Sequence, residues 1–248
     1  MVIDSRIALR QTKKEEGDLL EEIKAIFSDG DGVLLDSLSH GLVYYPKVAE
    51  ALGFRTPTTE EMIKFWGWKW RDFLHALWPK VNIDKLEKDF DDAYHGLGFD
   101  KIFVPQIEGA NETLLALRKT GYFLALITNR RRHSVERRFR EAGIELKHFH
   151  LIQAVDDCHF YKPDPRVFDR VLEEAQKRGI SKQEILYMGD TVASDWEAAK
   201  GASLGFVGVL TGPTTREEFL VAGVQTSNIL ESIGDLPVFL RERRKKCA

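Results

Sequence analysis

An apolar run, Ile23 to Phe27 with one lysine inside, ends in Asp29-Gly30-Asp31-Gly32. The run reads as a buried strand. Aspartate and glycine are poor strand formers, so the strand is expected to stop there and the chain to turn. In a parallel sheet covered by helices, ligands bind at the carboxyl ends of the strands. Residues i and i+2 of an extended chain point the same way. Asp29 and Asp31 would therefore repel each other unless a cation lies between them or one is protonated. An isolated Asp-Gly-Asp-Gly also serves as a solvated Asx-type turn. A calcium loop would need spaced oxygen ligands and a terminal glutamate, which do not follow.

The chain around this stretch divides by pattern. From Leu38 to about Phe103 the periodicity is helical, with pieces near Leu42–Leu52, Thr59–Phe65, Lys69–Trp78 and Ile83–Leu97. Thr58 with Glu61, and Asp84 with Glu87, have the spacing of helix-start boxes. From Pro105 onward strands alternate with helices. Strands are expected at Tyr122–Thr128, His150–Val155, Ile185–Gly189 and Phe206–Leu210. Helices are expected at Asn111–Lys119, His133–Ala142, Pro165–Arg178, Ser194–Ala202, Thr215–Ala222 and Leu236–Arg244. This predicts an α/β fold, a Rossmann-like parallel sheet core with an inserted all-helical domain over its carboxyl edge. The expected division is 1–37 with 104–248 for the core and 38–103 for the helical cap. The charged segment Met1 to Lys24, with Leu19, Leu20 and Ile23 as an apolar stripe, reads as a leading helix.

Each strand ends in residues with chemical potential. The first ends at Asp29 and Asp31, and the second at Thr128, Asn129 and the run Arg130–Arg132. The loop Tyr161-Lys162-Pro163 follows the third, and Gly189-Asp190 with Asp195 follows the fourth. In a parallel sheet these ends converge on one rim. Four acids, one hydroxyl, one lysine and several arginines there suit a divalent cation and a phosphate. Taken singly, each has an ordinary structural reading. Thr128 can be a β-branched strand residue, Lys162 a solvated loop lysine, Asp190 a cap, and Asp195 a residue favoured by the helix dipole.

The formal charge of −3 gives no general attraction to nucleic acid. The two cysteines, Cys158 and Cys247, are far apart and lack metal-type spacing, which fits free thiols in a reducing compartment. The N-terminus is too charged for a signal peptide, and no apolar run has the length of a membrane span. A cytoplasmic protein without membrane or nucleic-acid partners is expected, either a monomer or a homodimer.

In order along the chain, Asp29-Gly30-Asp31-Gly32-Val33-Leu34 with Asp36-Ser37, then Thr128, then Lys162-Pro163, then Gly189-Asp190 through Asp195 resemble the four motifs of the haloacid dehalogenase superfamily of aspartate-nucleophile phosphohydrolases. The likeness is strongest to the phosphoglycolate phosphatase-like and β-phosphoglucomutase-like branch and runs from about Ile23 to Pro237. The resemblance implies that Asp29 is the nucleophile and forms an aspartyl-phosphate. It implies that Asp31 protonates the leaving oxygen and later activates water. Mg2+ would be held by Asp29, the Asp31 carbonyl and Asp190, with Asp195 close by, and Thr128 and Lys162 would bind the phosphoryl oxygens. Arg130 stands where relatives often place a further phosphate-binding cation, and Asn129 lies beside it. In relatives a glycine-centred cap loop faces the active site, which makes Gly67, Trp68, Lys69 and Arg71 candidate contacts for the substrate. Trp66 and Trp70, at i and i+4, read as helix packing. The Asp190–Asp195 spacing is one residue longer than the branch's commonest form, so either Ser194 or Asp195 takes the acid's place.

These residues point to a magnesium-dependent phosphatase acting on a small phosphorylated metabolite of the phosphoglycolate, sugar phosphate or nucleotide type. A phosphomutase is the alternative, with His40 near the core–cap junction of interest. A non-catalytic binding protein of the same fold is the other, though its acid set would then have no purpose. A phosphonate-cleaving relative would use a cap lysine, but neither Lys64 nor Lys69 is singled out by a motif.

Overall fold

A computed structural model describes residues 22–247. The leading helix expected over Met1 to Lys24 falls almost entirely outside the described residues. At the centre is strand β1 (Ala25–Ser28). It is followed in the sheet by β2 (Phe123–Ile127), β3 (Leu151–Gln153), β4 (Ile185–Gly189), β5 (Gly205–Val209) and β6 (Ile229–Leu230). Among the described residues these form one six-stranded sheet of order β3-β2-β1-β4-β5-β6, parallel throughout. The strand order reverses between β1 and β4, and a crevice forms at that point beyond the carboxyl ends.

The three central strands, β2, β1 and β4, are buried along their whole lengths, as expected for a parallel sheet covered on both faces. Side chains alternate between faces. Ile26, Leu124, Leu126, Leu186 and Met188 enter one cluster, and Phe27, Phe123, Ile127 and Tyr187 enter the other. Helices α5 (Ala110–Lys119), α6 (Arg132–Glu141) and α10 (Leu236–Cys247) border the first face, α7 (Asp169–Gln176), α8 (Glu197–Gly201) and α9 (Arg216–Val221) the second.

Between β1 and β2 come α1 (Ser37–Ala51), α2 (Thr59–Phe65), α3 (Trp70–Leu77) and α4 (Ile83–Gly96). They enclose a separate core that includes Tyr45, Met62, Leu74, Leu86 and Phe90. Helix α2 starts with the expected box, Thr58 accepting from the Glu61 N–H and Glu61 from the Thr58 N–H. Helix α4 does not use Asp84 and Glu87 in that way. Asn82 caps it by accepting from the Lys85 N–H at 3.1 Å, which frees both acids to pair with Arg71.

Trp66 and Trp70 also differ from expectation. Helix α2 stops at Phe65, Gly67 has φ +83°, and α3 begins at Trp70. The two indoles therefore sit on opposite sides of a turn, Trp66 edge-on to Tyr45 and Phe73, Trp70 edge-on to Phe90. The helix expected at Pro165–Arg178 opens as a 3₁₀ turn, Pro165–Phe168, and becomes α-helical only from Asp169. The helix expected at Ser194–Ala202 opens as a π-turn, Val192–Trp196. Strand β6 has two residues, too few to leave a periodic signal.

Candidate active site

Asp29 leaves β1 with its N–H donating to the Met188 carbonyl of β4 at 2.9 Å. The residue is 4% exposed. One carboxylate oxygen accepts from the Gly30 N–H at 2.7 Å, and the other lies 2.8 Å from Lys162 Nζ. Burial pushes the Asp29 carboxyl up to about 7, with Asp195 and Asp31 adding to the rise and Lys162 opposing it.

Lys162 is fully buried. Its Nζ also donates to Asp195 Oδ1 at 2.7 Å and to the Tyr187 hydroxyl at 3.0 Å. Burial opposes its charge, but the Asp195 and Asp29 carboxylates outweigh that and hold the ammonium above its ordinary range. Asp195 accepts Lys162 and Tyr187 on Oδ1. On Oδ2 it accepts the N–H groups of Asp190 and Thr191 and the Thr191 hydroxyl. Burial raises its carboxyl, but Lys162 and these donors prevail and hold it below the usual carboxylate range.

Asp190 contrasts with its neighbour. It is 1% exposed, and its Oδ2 is buried without any hydrogen-bond partner. Burial, then the charges of Asp195 and Asp29, push its carboxyl well above the ordinary value. Gly32, at φ +69°, and Gly212 flank it so closely that a Cβ on either would fall about 2 Å from Asp190 Oδ2. A buried oxygen left unpaired costs stability unless something binds it. One carboxylate oxygen each from Asp29, Asp190 and Asp195 lie within 4.8 Å of one another. Hard carboxylate oxygens at this spacing suit a divalent cation, and Asp190 Oδ2 has no hydrogen-bond partner to compete with one.

Asp31 points into the crevice and is gripped by Arg130, Nε donating to Oδ2 at 3.0 Å and Nη2 to Oδ1 at 2.6 Å. Burial raises its carboxyl, but this guanidinium outweighs burial and keeps it below the usual range. Thr128, at the end of β2, is buried and its Oγ1 accepts the Arg130 N–H at 3.1 Å, which leaves the hydroxyl hydrogen available to a substrate oxygen. The other arginines of the run hold the structure. Arg132 pairs with Asp157, and Arg131 with Glu87 at 3.5 Å.

The Asn129 amide is committed to backbone. Nδ2 donates to the carbonyls of Gly67 (2.8 Å) and Lys162 (3.0 Å), and Oδ1 accepts the Lys162 N–H. The Ser194 hydroxyl donates to the same Gly67 carbonyl at 3.2 Å. The lengthened spacing is thereby explained: the π-turn brings Asp195 to Lys162 and Ser194 to the inserted helices. Trp68 and Lys69 line the cavity beneath those helices, Lys69 with its ammonium over the Tyr161 ring. Arg71 borders it too, but its guanidinium is paired with Asp84 and Glu87 on α4. Of the two candidates for the acid's place, Asp195 is the one that meets Lys162, and Ser194 turns to the Gly67 carbonyl. Tyr187 was not singled out in the sequence, because a tyrosine inside a strand carries no signal of its own.

Residues 26–209 match the model of the haloacid dehalogenase-like hydrolase family. A phosphoglycolate phosphatase of Vibrio vulnificus (strain YJ016) is 30% identical over 204 residues, covering 77% of this chain and 86% of that protein. One of Escherichia coli O157:H7 is 27% identical over 241 residues, covering 87% and 92%. Among solved structures, a β-phosphoglucomutase of Clostridium difficile aligns with TM-score 0.70 at 18% identity, covering 90% of this chain and 98% of that one. A hydrolase of Pseudomonas syringae aligns with TM-score 0.71 at 23% identity, covering 88% and 98%. At these identities the structural likeness speaks for the fold.

Proposed function

The chain belongs to the haloacid dehalogenase-like hydrolases, and from that premise we propose that it is a magnesium-dependent phosphatase in which Asp29 is the nucleophile. One observation carries this reading. Four carboxylates, Asp29, Asp31, Asp190 and Asp195, meet two cationic side chains, Lys162 and Arg130, so the rim is short of two positive charges. Asp29, Asp190 and the Asp31 backbone carbonyl, with Asp195 close by, would hold a divalent cation, which would supply that charge and the electrostatic stabilisation that phosphoryl transfer needs.

In this reading Lys162 fixes the Asp29 carboxylate and offsets its charge, and Asp29 attacks phosphorus. The bond to the leaving oxygen breaks as the aspartyl-phosphate forms, and the leaving oxygen takes a proton from Asp31. Thr128 donates its hydroxyl to a phosphoryl oxygen. Asp31 then accepts a proton from the water that attacks the aspartyl-phosphate and releases phosphate. In its pair with Arg130, Asp31 is ionised and cannot act as the acid. The incoming phosphate therefore draws Arg130 off Asp31, leaving Asp31 able to take up a proton. The inserted helices act as a cap that excludes water.

The substrate is a small phosphorylated metabolite. The name shared by the curated relatives puts a two-carbon phosphorylated acid first among the compounds to test, followed by sugar phosphates and nucleotides. The test is phosphate release from such a panel, with and without Mg2+, by wild type and Asp29→Asn. Turnover that needs Mg2+ and disappears in Asp29→Asn supports the reading. Turnover that survives the substitution overturns the assignment of the nucleophile.

A further inference from the structure

The cavity between the rim and the inserted helices has a volume of about 350 Å³, within the range of roughly 300–1,000 Å³ that encloses ligands of many atoms. A two-carbon acid would leave most of it empty. Its walls are both aromatic and basic. Trp66, Trp68, Tyr44 and Tyr94 contribute rings, and Arg130, Arg137 and Arg138 contribute guanidinium groups.

These arginines differ in their partners. Arg130 is held by Asp31, and Arg138 by Glu141, the Ile102 carbonyl and the Tyr94 hydroxyl. Arg137 has none of this. Its Nε is buried with no hydrogen-bond partner, and among the described residues no carboxylate pairs with it. A half-buried guanidinium without a carboxylate partner is available to an anion, and this one lines the cavity. It lies three residues beyond Ser134 on α6, about 5 Å of helical rise. Ser134 in turn accepts from Arg130, the residue that grips Asp31. The wall thus runs from Arg130 at the reacting end along α6 to Arg137.

His40 lines the same cavity. It is half-buried on α1, facing Tyr94 at 3.2 Å. Burial, then Arg138 and Arg130, push its imidazole down to about 4, so the ring adds no positive charge of its own near neutral pH.

We propose that Arg137 is a specificity-determining residue that binds a second anionic group, carboxylate or phosphate, on the leaving group of a substrate longer than a two-carbon acid. This rests on the phosphatase reading of the same rim. A guanidinium takes either anion through paired N–H donors, and the rings beside it accept the body of the leaving group.

The test uses ω-phosphorylated carboxylates of three to six carbons, the alkanol phosphates of equal length, and the matching bisphosphates. Turnover is compared in wild type, Arg137→Gln and Arg137→Lys. Wild type is expected to prefer the doubly anionic compounds at one chain length by about ten- to hundredfold in kcat/KM, mainly through KM. Arg137→Gln should remove that preference and leave the alkanol phosphates within about threefold, with Arg137→Lys between the two. Carboxylate and bisphosphate series peaking at different lengths would distinguish the two anions. An equal loss on all compounds, or no preference in wild type at any length, overturns the proposal. Calorimetric binding of the corresponding phosphonates, which cannot be hydrolysed, reads the same contrast without turnover. Failure of the phosphatase reading would abolish turnover but leave the binding contrast intact.

Discussion

Arg130 holds Asp31 by two parallel hydrogen bonds, 3.0 Å from Nε and 2.6 Å from Nη2. The geometry is a fork that a lysine cannot reproduce, since a lysine offers a point charge. Arg130→Lys is therefore expected to lower kcat/KM by about tenfold, and Arg130→Met by up to about a hundredfold. Steady-state kinetics on the best substrate of the panel checks this. Unchanged kinetics in Arg130→Lys would mean that the fork has no part in the reaction.

Lys162 is the cation shared by Asp29 and Asp195, and all three side chains are buried. Removing it leaves two buried carboxylates without their partner. Lys162→Met is expected to lower stability by about 3–5 kcal/mol and to abolish turnover. Urea unfolding at neutral pH measures the first effect, and a loss below about 1 kcal/mol would contradict it.

Asp190 and Asp195 should behave oppositely. Asp190 Oδ2 has no partner, whereas both Asp195 oxygens are fully engaged. In the absence of metal, Asp190→Asn relieves repulsion and should stabilise the protein by about 1 kcal/mol while weakening Mg2+ binding at least tenfold. Asp195→Asn removes the charge opposite Lys162 and one of the two acceptor oxygens, each of which is engaged, and should destabilise by about 3 kcal/mol. Thermal melts in chelator and calorimetric Mg2+ titration separate the two, and equal destabilisation by both would refute the distinction.

His40 gives a pH signature. Its folded value of about 4 lies below the ordinary 6.5. The unfolded chain therefore binds the proton first, so this contribution is complete above pH 6.5 and fades as pH falls toward 4. Wild type should lose melting temperature over that window more steeply than His40→Phe. Parallel curves for the two proteins would count against burial of a neutral ring.

Gly67 accepts from Asn129 and Ser194 through its carbonyl at a φ that side chains avoid. A Cβ there would lie 3.2 Å from Thr191 and 3.3 Å from Ser194. Gly67→Ala is expected to cost about 1–2 kcal/mol, and Ser194→Ala about 1 kcal/mol. Faster hydrogen exchange at residues 66–69 in both variants would show that the contacts hold the inserted helices to the rim.

The strands were legible because burial on both faces writes uninterrupted apolar runs, as in Phe123–Ile127 and Ile185–Gly189. Their ends announced the rim, since Asp29, Thr128 and Asp190 interrupt those runs where the sheet stops. What could not be read were the partners. Nothing in the spacing of Asp195 and Tyr187 tells that one accepts from the other, and the commitments of Asn129 and Arg71 depend on tertiary approach. The break between the two helices was legible, but where the Trp66 and Trp70 indoles end up was not, because Gly67 at φ +83° turns the chain between them.

Adding a residue to a helix ordinarily swings everything beyond it through about 100°. In Val192–Trp196 the surplus is absorbed locally, the Trp196 N–H reaching five residues back to the Thr191 carbonyl at 3.1 Å. Consecutive residues can then face different masters, Ser194 the inserted helices and Asp195 the buried lysine. Deleting one residue from this turn would restore regular winding and force both duties onto one position. The chain would then have to give up either its hold on the inserted helices or the carboxylate beside its buried lysine.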